Sequence, residues 1–207
     1  MRLSFSQLEQ ARKNPIKFGQ SYRPTAFKFS SKNFRTYLFA AIKRYHDGGS
    51  KEEVLQFFSE KSNEKLGSQN HFQARLTHYI KILDSYCDTF GDQRCSVIET
   101  GKRTSLKVGS HMLSGRIERL DLRLAIGYRA TATQLNKTEW ENELRWPLVQ
   151  KAIAQELACP IAEVEVGVFC FEDGKYTYRT FSDAEILAAE TEAEHVLTEV
   201  ERNLSGI

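Results

Sequence analysis

Long hydrophobic runs are missing from these 207 residues. The apolar stretches stop after a handful of positions, against the roughly 20 that a membrane-crossing helix needs, which excludes a helical span. A basic-then-apolar leader pattern is also missing, so the chain is expected in the cytoplasm. Cysteine is sparse: Cys87, Cys95, Cys159 and Cys170 form no CxxC pair. That excludes a disulfide scaffold and leaves reduced core thiols as the reading. The five histidines are scattered, and His71 and His78 lie two turns apart on one helix, poor spacing for a single zinc. No glycine-rich loop opens a helix after a strand; Gly48-Gly49 ends one instead. A nucleophile-elbow serine, an HExxH pair and internal repeats are likewise absent. Neither a cofactor nor a metal is expected.

What is present is ordinary globular composition, 41% hydrophobic and 27% charged. The length suits one domain with a core large enough to hold itself together. The net charge of +2 hides a gradient. Residues 1–50 carry ten Lys or Arg against two acids, 51–137 carry fourteen against ten, and 138–207 carry five against fifteen. A basic front predicts a polyanion on one side, and the acidic tail suits a basic partner or solubility.

Periodicity predicts the elements. Ser6-Gln7-Leu8-Glu9 reads as a capping box for a helix over 6–13, stopped at Asn14-Pro15. A basic, aromatic loop follows over 14–30, with Lys17, Phe18, Tyr22, Arg23, Phe27, Lys28 and Phe29. Phe34, Leu38, Ile42 and Tyr45 form one stripe of a helix over 31–45. Ser50-Lys51-Glu52-Glu53 caps a third helix, and a fourth spans 68–90. The period then changes to two. Strands are predicted over 95–100, 105–108, 112–122 and 124–130 as one antiparallel meander. A helix over 138–158 follows, then a hairpin about Asp173-Gly174 and an acidic helix capped by Ser182. The result is a single α/β or α+β domain, with a helical front over about 1–92 and a sheet core over 93–207.

The chemistry-bearing segment is Ser114 to Asp121 followed by Ala125 to Thr131. Two adjacent strands with acids and then a base are how metal-dependent nucleases position Mg²⁺. A polar strand face with cross-strand charge pairs is the plainer reading. The order of segments resembles the RecB-type branch of the PD-(D/E)XK nucleases. Leu3 to Leu8 and Asn14-Pro15-Ile16-Lys17-Phe18 match the opening helix and its Cys-Pro-x-x-Phe end. Arg35 to Tyr45 matches Gly-Thr-x-x-His-x-x-Leu-x-x-Tyr, Gly115 to Arg119 the Gly-Arg-Ile-Asp-Arg strand, and Gly127-Tyr128-Arg129 the Asp-Tyr-Lys strand. Arg145 to Val149 matches Gln-x-x-x-Tyr.

The resemblance implies a PD-(D/E)XK (restriction-endonuclease-like) α/β core, a mixed sheet flanked by helices. It also implies a degenerate site at Phe39, Glu99, Glu118, Gly127, Arg129 and Arg145. The second acid is replaced by Gly127 and the lysine by Arg129, which cannot act as a base. Asn14 replaces the cysteine, so no iron–sulfur cluster is expected. The expectation is therefore a non-enzyme that binds nucleic acid, DNA above all, within a larger DNA-processing or anti-phage complex. Lys17, Arg23, Lys28, Lys32, Arg35, Arg116, Arg119, Arg129 and Arg145 are the expected phosphate contacts. Glu118 is expected to pair with Arg129. Strand alternation is expected to put Asp121 on the face opposite Glu118. The rival functions are a structural subunit that docks a protein partner and a metal-dependent nuclease with a migrated site at Glu99, Glu118 and Asp121. No membrane partner is expected, and the oligomeric state is open.

Overall fold

The computed structural model describes residues 1–22, 33–91, 95–124 and 127–204. Strand β1 (Arg2–Ser4) leads directly into α1 (Phe5–Lys13). The cap is Ser4, not Ser6: its hydroxyl accepts from the Gln7 amide, and the Gln7 side chain returns a bond to the Ser4 amide. Asn14 then caps α2 (Pro15–Ser21), so the expected loop begins as helix, with proline at its favoured first position. Phe18 and Tyr22 stack at 5.7 Å and pack on the core. Arg23, Phe27, Lys28, Phe29 and Lys32 lie outside the described residues.

Helices α3 (Phe34–His46), α4 (Lys51–Leu66) and α5 (Phe72–Gly91) form one body. Phe34, Leu38, Ile42, Phe58, Leu76 and Leu83 fill its interior. Ser50 and Glu53 make the expected capping box on α4. The helical front is not one unit, however. Helices α1 and α2 pack on α7 (Asp183–Arg202) at the far side of the molecule. Phe5, Leu8 and Ala11 carry them into the core of the sheets.

The meander is also divided. Strands β3 (Arg103–Val108) and β4 (His111–Arg116) pair antiparallel, and β1 adds in parallel to β4. Strands β2 (Ser96–Thr100), β5 (Arg119–Arg123), β6 (Gly127–Gln134), β7 (Val164–Cys170) and β8 (Lys175–Arg179) form a second mixed sheet in that order. The expected strand over 112–122 breaks at Ile117-Glu118 and passes from one sheet to the other. Strand β6 runs parallel to β7 through the crossover helix α6 (Arg145–Leu157), and β8 returns through a turn where Gly174 takes φ +66°. The fold is a mixed α/β arrangement of two mixed sheets and seven helices among the described residues.

One face of the five-stranded sheet meets α6 through Ala130, Val164, Val166 and Val168. Phe169, Phe171 and Tyr176 point the other way, into the α3–α5 body. Among the described residues no helix is long and apolar enough to cross a membrane.

Candidate nucleic-acid site

The alternation Arg129-Ala130-Thr131-Ala132-Thr133 sorts β6 into two faces. The alanines face α6. Arg129, Thr131 and Thr133 form a polar row toward α3–α5, and each meets a different charged partner.

Glu118 is at the Thr133 end. The break between β4 and β5 turns its carboxylate across the sheet, where Oε2 accepts from the Thr133 amide at 2.7 Å and its hydroxyl at 2.6 Å. Its carbonyl accepts from the Gly101 amide. Burial pushes the carboxyl up to about 7, against the pull of the Thr133 bonds and of the Arg35 and Arg145 charges. Those two arginines come from separate elements. Arg35, on the first turn of α3, is exposed and lies over the Phe39 ring at 5.0 Å. Arg145 opens α6, lies over Trp146 at 4.7 Å and pairs with Glu143 through Nε. The start of α6 has no side-chain cap of its own. Glu9 on α1 serves instead, accepting the Arg145 amide at 2.9 Å. Burial raises the Glu9 carboxyl, partly offset by that amide.

The centre of the row belongs to Arg119, which is 2% exposed. Its Nε donates to Asp121 at 2.8 Å, and its other nitrogens reach the hydroxyls of Tyr86 (2.9 Å), Tyr176 (3.0 Å) and Thr131 (3.5 Å). The Phe90 ring lies beneath the guanidinium at 4.6 Å. His46 joins through a 2.7 Å contact to the Tyr86 hydroxyl. Burial, with the Arg119 charge, holds its imidazole down to about 3. At the other end Arg129 stacks on Tyr178 at 3.5 Å and donates twice to Glu165.

Several expectations are corrected. Glu118 does not pair with Arg129; the register sets Arg129 opposite Asp121, three residues past Glu118 in the chain. Asp121 is not on the opposite face. Alternation does not run across the break at Ile117-Glu118, so both acids point toward α3–α5. Arg119 and Arg129 are buried with partners and leave the list of phosphate contacts. Gly127 is not an emptied acid position beside Glu118. Its φ is +102°, and a Cβ there would sit 2.3 Å from the Glu163 carbonyl oxygen. Glu99 is exposed on edge strand β2, beside Lys102. Arg116 lies on the other sheet, bonded to the Gly101 carbonyl. Lys17 is exposed on α2, the helix that packs on α7. Of the expected residues, Arg35 stacks on Phe39, and the Arg35 and Arg145 charges both act on Glu118. Thr131, Thr133 and Glu165 were missed, although the period-two alternation of β6 was the signal for the two threonines and that of β7 for Glu165.

The family resemblance implies a divalent metal at this site, and the residues present do not fit one. Oε2 of Glu118 already holds two Thr133 donors, and two guanidinium charges repel a cation. Among the described residues no three His, Cys, Asp or Glu side chains stand together as a metal site.

No known protein-family model matches the chain, and no curated protein does. A solved structure does: a protein described as a putative exonuclease from Eubacterium rectale. It is 8% identical, with TM-score 0.55 over 98% of this chain and 82% of that one. A second structure, SSO0001, is 11% identical over 92% of this chain and 84% of that one, at TM-score 0.30. The first likeness gives a nuclease-like fold. It also corrects the expectation of a non-enzyme: the fold is one carried by a protein assigned a catalytic activity.

Proposed function

We propose that the chain is a nucleic-acid-binding protein of nuclease-like fold. It grips backbone phosphate where Arg35, Arg145 and Glu118 meet, as a subunit of a DNA-processing or anti-phage complex. Convergence of charge carries the reading: two aromatic-backed guanidiniums, one from α3 and one from α6, both act on one carboxylate. Stacking fixes each planar fork before a ligand arrives, which lowers the ordering cost of bidentate phosphate contacts. Arg145 meets Glu143 through Nε, leaving its terminal nitrogens for an anion. The RecB-type order of motifs supports the same location. Arg35→Glu with Arg145→Glu should abolish binding of a labelled duplex or single strand while the circular dichroism stays native. Unchanged affinity would contradict the proposal.

Strand hydrolysis is a second reading, favoured by Glu118. A carboxyl that titrates at about 7 is placed for general acid–base work. The likeness to a protein described as a putative exonuclease points the same way. Digestion of linear, circular and single-stranded DNA, with and without divalent cations, tests it. Cleavage lost in Glu118→Gln supports hydrolysis at this site, and intact substrates in every condition contradict it.

A further inference from the structure

The three-stranded sheet β1-β4-β3 covers the core with one face only. Leu3, Thr104, Leu106, Val108 and Leu113 point inward and are buried. The other face follows from the register. Arg103 stands opposite Arg116, Ser105 opposite Ser114, and Lys107 opposite Met112. Arg2 flanks Met112 from β1, and Ser4 flanks Ser114. Four cations and three serines therefore share this face with one methionine, and no register position on it holds an acid. Arg2, Arg103, Lys107 and Arg116 are exposed. Among the described residues none of the four has an ion-pair partner. Exposed bases without an ion pair also occur at Lys13, Lys17 and Lys81, but on helices, not side by side on one sheet face.

Like charges directly opposite on antiparallel strands destabilise the pairing. Here Arg103 and Arg116 stand so, and the only bond described for either side chain is from Arg116 to the Gly101 carbonyl. Uncompensated cations on a flat polar face fit a polyanion. From Arg103 to Lys107 is about 13 Å along the strand, or about four base-pair rises. Serine hydroxyls between the cations can donate to phosphate oxygens. With Met112 as the lone apolar side chain, the face has no wedge to enter a bilayer, which favours nucleic acid over lipid. The Arg103–Arg116 end adjoins the β2–β3 turn. There Gly101 bonds Arg116 through its carbonyl and Glu118 through its amide, so the face borders the Glu118 site along the chain.

We infer that the outward face of β1-β4-β3 is a second phosphate-tracking surface, on which Arg2, Arg103, Lys107 and Arg116 hold the nucleic-acid backbone beyond the Glu118 site. It rests on the nucleic-acid reading and adds a separate surface to it.

Fluorescence anisotropy across a salt series tests it, with a labelled duplex of about two helical turns and the wild type beside Arg103→Glu/Lys107→Glu. The double variant should bind at least about tenfold more weakly, with a log affinity against log salt slope shallower by about two. Its thermal midpoint should match or exceed the wild type, since Arg103→Glu replaces a repulsive cross-strand pair with an attractive one. A wild type that binds no nucleic acid overturns the nucleic-acid reading and this surface with it. A double variant that keeps wild-type affinity and slope overturns the surface alone. Wild type that sediments with phosphatidylserine vesicles, while the variant does not and its DNA binding is unchanged, would assign the face to lipid and overturn the inference.

Discussion

Glu118 concentrates the electrostatics of the site. Its folded pKa of about 7 lies above the ordinary glutamate value, so the fold favours the protonated form. The stability linked to this proton is complete below the unfolded pKa and is lost as pH rises through 7. Glu118→Gln removes that dependence. Thermal unfolding should therefore show the variant gaining on the wild type between about pH 4.5 and 8, by about 1–3 kcal/mol at the upper end. A constant difference across that range would mean that the carboxyl is not raised. The Arg119–Asp121 pair is buried on both sides. Asp121→Ala leaves a guanidinium charge without its counterpart and should cost about 3–5 kcal/mol in urea unfolding; a loss below about 1 would contradict the burial. Gly127→Asp should also destabilise, through positive φ and collision with the Glu163 carbonyl, and should confer no metal binding by calorimetry. That a strand runs through Tyr128-Arg129-Ala130 was legible from its alternation, but its register was not. Register depends on where β5 starts, and a break at Ile117-Glu118 leaves no mark in the hydrophobic pattern.

Helix and strand identities were legible because their causes are local. Ser50 with Glu53 and Ser182 with Glu185 form capping boxes in place, and Asp173-Gly174 forms its turn. Misreadings arose where a distant element decides. Ser6 has Glu9 three residues on, but Glu9 is taken by the Arg145 amide, and α1 starts at Phe5 with Ser4 and Gln7 as its capping box. Helix α6 begins at Arg145 because Glu9, from α1, takes its first free amide. The four strands after Cys95 alternate alike, so nothing local shows that β3 and β4 leave for a second sheet. Ser50→Ala should cost about 1 kcal/mol by unhooking the first turn of α4. Glu9→Ala should act at a distance, exposing the start of α6 and weakening nucleic-acid binding through Arg145. If Glu9→Ala leaves binding untouched, Glu9 is structural only.

Among the described residues an α3–α5 body and a sheet core join across the polar row of β6, with Phe169, Phe171 and Tyr176 as shared apolar contacts. Phe169→Ala should cost about 3–5 kcal/mol, since it empties a fully buried position that both parts share. The charge gradient was legible from the first reading, but its targets were not. Burial withdrew Arg119 and Arg129 from the surface, and the sheet crossing carried Arg116 to another face. The surfaces proposed for nucleic acid are therefore the one with Arg35 and Arg145 and the basic sheet face of β1-β4-β3. The direct test is the salt dependence of duplex binding, measured by anisotropy for the wild type and Arg35→Ala/Arg145→Ala. About five neutralised phosphates predict a slope of about −4 to −5 for the wild type, shallower by about two in the variant, with weaker binding at every salt. Equal slopes and affinities, or a wild type that does not bind, would contradict the account.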